Sequence, residues 1–291
     1  MNAPRYNISD LEKLSGIKAH TIRIWEKRYG IINPERTQTN IRYYTDEDLQ
    51  KLLNISILNK NGLKISHISQ MSTPELEQAL SRLSDKHGGD DVLINNLLQA
   101  ALDLHEEQVE KLLNTSILKL GFENAFIQVV FPFLEKVTLM WQLGKVNACQ
   151  ERFVNNLIRH KMVVAIDGLV GQNGNLSRNF LLFLPAGEFN ELPLLFINYL
   201  LRKRGCQVVY LGPDIPLDHL RKLKGKEQYE GIVVAFNHHP KEKELIEYLS
   251  YLKNEFSTQS LLLYFHKQVP DCQLPCGAHL IDSRFSWPSG V

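Results

Sequence analysis

The sequence has 291 residues, of which 44% are hydrophobic, and its 33 Lys and Arg nearly balance its 32 Asp and Glu. This length and composition predict a multidomain chain that folds throughout; with no charged and apolar leader and no apolar run of membrane-spanning length, we expect a cytoplasmic protein. The four cysteines are too few for a disulfide scaffold, and Cys272 and Cys276 have no second pair beside them, so we expect free thiols and no metal site.

The first thirty residues predict two short helices joined by a tight turn. Residues 8–14 form the first helix, with Ser9 as its N-cap. From residue 20 onward Ile22, Trp25 and Tyr29 recur at helical spacing. They predict an apolar stripe on the second helix that packs against the first helix and places Trp25 in the core. Two such helices are typical of a helix-turn-helix, whose second helix enters DNA. Its candidate contacts to base edges and phosphates are Lys18, His20, Thr21, Arg23 and Arg28.

Residues 31–45 suit a turn flanked by two short strands, which predicts a wing beside the two helices. Thr45 or Asp46 then caps a helix through Leu58, and residues 62–71 predict one more short helix. The basic and aromatic side chains of this segment include Arg36, Arg42 and Tyr43, and Tyr43 is equally compatible with packing and with an exposed contact.

Three phrases occur in order in this region: IRIWEKRYG in the second helix, NPERT, and IRYYT in the wing, followed by LKISHIS. Over residues 1–72 they resemble the DNA-binding domain of MerR-family regulators, and the Trp-Glu-x-Arg-Tyr-Gly form resembles the CarH/LitR-like subgroup. The resemblance implies that the second helix is the recognition helix, or reading helix, which enters the major groove, and that the wing contacts the DNA backbone. It also implies DNA contacts at the helix positions named above and backbone contacts at Arg36, Arg42 and Tyr43.

The charge of the chain is unevenly distributed. Up to Ser72 there are eleven Lys and Arg against seven Asp and Glu, a net charge of +4, so the remainder carries −3. Any single one of these cations is compatible with an ordinary solvated surface. A basic head on a mildly acidic body, however, favours binding to DNA through counterion release.

Residues 73–90 predict a helix that loosens into a linker, and residues 91–172 predict a four-helix bundle. Trp141 closes the third bundle helix and Glu151 opens the fourth. This resembles the helical cap of cobalamin-binding regulators, in which a Trp is followed ten residues later by a Glu-His pair above the cofactor. Arg152 stands at the His position, and Trp141 as plain bundle core is the alternative.

Residues 178–291 alternate short apolar runs with helical patterns, which predicts an α/β domain. The runs are residues 180–184, 207–211, 231–236 and 260–264, with a possible fifth strand at Leu280 and Ile281. Buried strands separated by helices predict a doubly wound parallel sheet, flavodoxin-like in arrangement. Its ligand crevice is expected at the carboxyl ends of the strands.

This domain resembles the cobalamin-binding domain, most clearly in the phrase LGPDIP, but its cofactor motif is degenerate. The family pattern is an acidic residue, any residue, a cobalt-coordinating His, two residues and a Gly. Here Glu188 keeps the acid, Asn190 replaces the His, and Pro193 replaces the Gly. A neutral amide is a poor cobalt ligand, and a proline ring fills space that the Gly leaves open.

Later positions of the domain also depart from the family pattern. Phe236 ends the third strand where a small hydroxyl residue is common, and Tyr264 and Phe265 stand where paired glycines make room for the nucleotide tail. We therefore predict that cobalamin coordination is lost. His238, His239 or His266 at strand ends is the alternative ligand.

We predict a sequence-specific DNA-binding transcriptional regulator, a repressor that binds an inverted repeat as a homo-oligomer, with a cobalamin-binding-like sensor or assembly module. One alternative is a functional cobalamin-dependent, light-sensing regulator with a substitute ligand. Another is a corrinoid carrier or methyltransferase component. We expect no enzyme, because the sequence contains no recognisable catalytic constellation.

Overall fold

The structure is a computed structural model that describes residues 6–36, 40–84, 89–169, 178–223, 229–237, 240–256, 260–265, 274–282 and 284–286. These residues form two compact units, Met1–Asn155 and Asn156–Val291. The first unit holds the predicted head and most of the helical region, and the second holds the predicted sheet. The four-domain division made from the sequence stays a prediction.

The head, residues 6–73, is built from helices with a small hairpin. Asn7 caps the first helix, because its side chain accepts from the Ser9 and Asp10 amides while the Asp10 carboxylate accepts from the Asn7 amide. The prediction that Ser9 is the N-cap is therefore wrong, because the helix already begins at Ile8. Thr45 caps the helix Asp46–Lys60 in the same reciprocal way with Asp48. The elements are α1 (Ile8–Ser15), α2 (Ala19–Tyr29), β1 (Glu35–Arg36), β2 (Arg42–Tyr43), α3 (Asp46–Lys60) and α4 (Ile65–Ile68).

The helical region confirms the predicted series of helices with two differences. The fourth bundle helix begins at Ala148 rather than at Glu151. The third is interrupted by a π-helical turn, in which Phe131 N–H donates to the Phe126 carbonyl. Pro132 explains this, because it has no amide hydrogen and its ring collides with the carbonyl four residues earlier. The elements are α5 (Thr73–Ser84), α6 (Gly89–Leu102), α7 (Glu106–Leu120), α8 (Phe122–Ala125), the π turn (Phe126–Val130), α9 (Phe131–Gln142) and α10 (Ala148–Asp167).

The second unit contains a five-stranded parallel sheet. Its order is β4-β3-β5-β6-β7, so the first strand of the unit lies between the second and the third. This is the flavodoxin-like order, and it confirms the predicted doubly wound fold and its fifth strand. The elements are β3 (Asn179–Pro185), α11 (Leu192–Lys203), β4 (Gln207–Ile215), α12 (Leu217–Arg221), β5 (Gly231–Phe236), α13 (Glu242–Phe256), β6 (Ser260–Phe265) and β7 (Ala278–Ile281).

The core of this unit lies on both faces of the central strands. All six residues of β5 are buried, as are five of six in β6, because helices cover both sides of a parallel sheet. On one face, α13 contributes Leu245, Leu249 and Leu252, which recur at helical spacing and pack against the sheet. The sheet is thus a rigid base for the loops at its carboxyl edge.

Within the described residues, no helix combines the length and apolarity needed to cross a bilayer. The described thiols are free: Cys149 and Cys276 are exposed and Cys206 is half-buried. Cys272 lies outside the described residues.

Candidate nucleic-acid interface and sensor site

The reading helix α2 is fixed to the head by its apolar stripe. Ile22 is fully buried and Trp25 is 8% exposed, which confirms the prediction that Trp25 belongs to the core. Gly30 ends the helix in a left-handed conformation at φ 61°, which glycine adopts without strain. The other faces of α2 are therefore held in a fixed direction toward solvent.

Most of the predicted contacts on this helix are exposed. His20, Arg23 and Arg28 are exposed and Thr21 is half-buried. Lys18 has a 73% exposed side chain and pairs with Glu12 at 3.2 Å. Ile24, which the sequence reasoning missed, is 52% exposed; its spacing from His20 and Arg28 places it on their face of the helix.

Glu12 caps the N-terminus of the reading helix α2. Its carboxylate accepts from the Ala19 amide at 3.2 Å, which supplies the cap that the N-cap residue Lys18 cannot give. The hydrogen bonds from Lys18 and from Ala19 lower the pKa of Glu12. Sequence reasoning missed this residue because it lies seven positions before its partner amide.

The wing sets two arginines directly across from each other. Arg36 pairs in register with Arg42, and Glu35 with Tyr43, whose hydroxyl donates to the Glu35 carboxylate. Arg36 also donates to Asn40 Oδ1 at 2.7 Å. Like charges at opposed positions of a hairpin repel, so this pair gains from an anion placed between or above the guanidinium groups. A DNA phosphate is such an anion.

Glu26 links the reading helix to the wing. One carboxylate oxygen lies 3.7 Å from Arg42 Nη2, and the other accepts from the Tyr44 hydroxyl at 3.1 Å. Tyr44 is fully buried, and burial together with the negative charge of Glu26 raises its pKa to about 12. Glu26 thus orients Arg42, a role that no sequence pattern had indicated.

The predicted cap residues lie in the first unit. Trp141, in the last turn of α9, is 47% exposed, so it is not bundle core. Glu151 is half-buried and Arg152 is exposed, both in the first turns of α10. The other predicted cofactor residues, Glu188, Asn190 and Pro193, lie in the second unit.

A buried carboxylate organises the loop between β3 and α11. Glu188 is 6% exposed, and its Oε2 accepts from the Asn237 amide at 3.2 Å, while Asn237 Nδ2 donates to the Asn190 carbonyl at 3.2 Å. On the other side, Asp214 Oδ1 accepts from the Gly187 amide at 2.8 Å. The loops that follow β3 and β5 and the last residues of β4 are thereby tied together at the carboxyl edge of the sheet, at its topological switch point.

A second network beside this loop was missed by sequence reasoning. Glu191 accepts from Arg159 Nε at 2.6 Å and from the Tyr210 hydroxyl at 2.6 Å. Burial and the hydrogen bond to Glu191 raise the pKa of Tyr210. Its members come from α10, the start of α11 and β4, so only the folded chain brings them together. They engage one another rather than standing open to a ligand.

Comparison with known proteins identifies the head. Residues 6–73 match the family described as MerR HTH family regulatory protein. The chain is also 27% identical over 221 residues, 74% of its length, to the HTH-type transcriptional repressor CarH of Myxococcus xanthus, covering 73% of that protein. Residues 6–73 form a MerR-type helix-turn-helix domain, and the chain as a whole is similar to the repressor CarH.

Two other matches cover more of the chain than the head. The chain is 24% identical over 218 residues to the HTH-type transcriptional repressor CarA of Myxococcus xanthus, covering 72% of this chain and 68% of that one. Among solved structures, the Methanosarcina barkeri monomethylamine corrinoid protein matches with a TM-score of 0.49 and 15% identity, covering 62% of this chain and 87% of that one.

Where the resemblance places a corrin, the described side chains differ from those that the cofactor motif requires. Asn190 is exposed and offers an amide where the resemblance requires an imidazole. Where the nucleotide tail is expected, Phe285 stacks on Tyr264 at 5.1 Å between ring centroids and meets Phe196 edge-on at 4.8 Å. We call these three rings the aromatic plug. His238, His239 and His266, the alternative ligands, lie outside the described residues.

Proposed function

We propose that this regulator binds an inverted-repeat operator in double-stranded DNA as a homodimer or larger homo-oligomer, and that it represses transcription there. The observation that carries the proposal is the exposed basic surface shared by α2 and the wing, with Arg36 opposed to Arg42. One head makes few phosphate contacts, so tight binding calls for two heads on two half-sites. The repressing role is supported by the names of CarH and CarA.

Within this surface, we propose different roles for α2 and for the wing. His20, Thr21 and Arg23 in the first half of α2 are proposed to meet base edges, as recognition helices do with their N-terminal residues. Arg36, Arg42 and Tyr43 are proposed to hold phosphates, which fixes the register of the head on the duplex.

The test uses an operator selected from random duplexes with the full chain. We expect affinity for the full inverted repeat to exceed affinity for one half-site and to fall linearly with the logarithm of salt concentration. Arg23→Ala should weaken binding by about 1–3 kcal/mol. The control is Lys111→Ala, which removes an exposed cation from α7. Failure to select any sequence, or equal affinities for Arg23→Ala and wild type, would count against the proposal.

We further propose that the second unit retains a cobalamin-type fold without cobalamin coordination. It then serves as an assembly module or takes a different molecule at the carboxyl edge of its sheet. Support comes from the exposed amide of Asn190, from the aromatic plug and from the engagement of Glu191 with Arg159 and Tyr210. We propose no catalytic role, since the relatives that span most of the chain are repressors.

An absorption spectrum combined with gel filtration tests this second proposal. Purified protein is mixed with adenosylcobalamin in darkness and passed over the column. We expect a colourless protein peak of unchanged size. A red peak with about one corrin per chain would instead establish a working cobalamin sensor with a substitute ligand.

A further inference from the structure

The DNA-binding head and the helical region pack into one compact unit. Seven of the fifteen residues of α3 are buried, and the Gln50 side chain of this helix donates to the Gln99 side chain of α6. Leu53 of α3 and Asn95 of α6 line the same cleft. The reading helix is thus carried on a head that already rests against the bundle.

Lys145 of the bundle reaches into the head. Lys145, in the turn between α9 and α10, lies 3.5 Å from Asp10 Oδ2, and the two side chains are only 13% and 9% exposed. Its ammonium also lies 4.8 Å from the centroid of the Tyr6 ring. Such a shielded pair is screened less by salt than an exposed one, and the ring face adds a cation–π attraction.

The turn that carries Lys145 is itself held firmly. Gly144 adopts φ 68°, and the Lys145 amide donates to the Met140 carbonyl at 2.9 Å. Asn147 caps α10 by accepting from the Gln150 amide at 3.0 Å, and Gln150 Nε2 donates to the Leu102 carbonyl at 2.8 Å. The ammonium therefore comes from a backbone with little freedom to follow a moving head.

The partners of Lys145 lie at the junction of the head. Asp10 closes the capping box of α1, and the hydroxyl of the buried Tyr6 donates to Asp46, in the first turn of α3, at 2.6 Å. The Tyr6 backbone pairs with Tyr44, the residue that follows the wing. One ammonium thus contacts the point where α1, α3 and the wing meet.

We propose that Lys145 is a positioning residue that fixes the orientation of the DNA-reading head on the bundle and thereby sets the spacing between operator half-sites. This rests on the proposed binding of an inverted repeat by two heads. A head held at one angle accepts half-sites at one separation and one rotation about the duplex. A head that can turn on the bundle accepts half-sites at other separations and rotations.

The experiment measures binding to duplexes whose two selected half-sites are separated by the preferred spacing or by about 5 bp more, which turns one half-site to the opposite side of the DNA. We expect the insertion to weaken wild-type binding at least tenfold. Lys145→Met should reduce that penalty to threefold or less while leaving affinity for a single half-site unchanged. Lys145→Arg, which keeps the charge, should restore the penalty, and Lys111→Met is the matched control for a lysine exposed on the bundle.

The outcomes separate this proposal from the proposed function. If wild type tolerates the insertion, or if Lys145→Met keeps the full penalty, the positioning role is wrong. If wild type binds no selected duplex, the proposed DNA binding itself fails. Should Lys145→Met lose its circular dichroism signal, Lys145→Gln is measured in its place, and a full penalty in that folded variant overturns the proposal.

Discussion

Tyr44 illustrates how one side chain links fold and charge in the head. Its hydroxyl is buried against Glu26, which itself lies beside Arg42. Trp25 and Arg42 were predictable, one from helical spacing and the other from its place in the wing phrase. The role of Glu26 was not, because it depends on a hydroxyl eighteen residues away.

The raised pKa of Tyr44 predicts a loss of stability in alkali. Above pH 10 an unfolded tyrosine releases its proton, whereas folded Tyr44 holds it to about pH 12, so unfolding becomes easier as pH rises through this window. Tyr44→Phe should show a smaller loss between pH 10 and 12. Urea unfolding at pH 9 and pH 11, with Tyr29→Phe as the control, measures the difference, and equal pH dependence in wild type and Tyr44→Phe would refute it.

At the scale of elements, the short segment after β7 contributes to the core of the second unit. The Asp282 carboxylate accepts from the Arg284 and Ser286 amides and so places Phe285 between α11 and β6. Phe285 is 4% exposed although it adopts a positive φ of 57°. Such a conformation is unusual for an aromatic residue and persists only where packing compensates for it.

Phe285→Ala should therefore lower the stability of the second unit by about 3–5 kcal/mol, because it opens a cavity and removes two ring contacts. The matched control is Phe189→Ala, at a ring that is 67% exposed. Denaturant unfolding followed by tyrosine fluorescence reports both. Similar stabilities for the two variants would show that the plug contributes little.

The elements themselves were largely predictable from spacing. Apolar runs bounded by helical patterns indicated four strands of the sheet, since buried parallel strands are short and continuously apolar, and Leu280 and Ile281 suggested the fifth. The N-cap of α1 and the π turn were not, since the first depends on which side chain accepts from the free amides of the helix and the second on how the helix accommodates Pro132. The hydrogen bonds of Glu188 and Glu191 were also not predicted, because their partners lie far away in the sequence.

At the scale of the whole molecule, charge and architecture agree. The net charge of +4 up to Ser72 coincides with the exposed basic surface of the head, while the remaining −3 belongs to the bundle and the sheet. Composition could locate this division, but it could not reveal that the head and the bundle form one unit. That packing depends on contacts such as the one between Lys145 and Asp10, which no periodic pattern in the sequence predicts.

On the proposal that the second unit has lost cobalamin coordination, the aromatic plug bears on how that loss could be reversed. A histidine at Asn190 alone would leave Phe285, Tyr264 and Phe196 packed where the nucleotide tail is expected. Removing Phe285 costs stability before any ligand can offset it. Restoring a corrin site would therefore take several substitutions, and the one that opens the space for the tail carries a cost in stability.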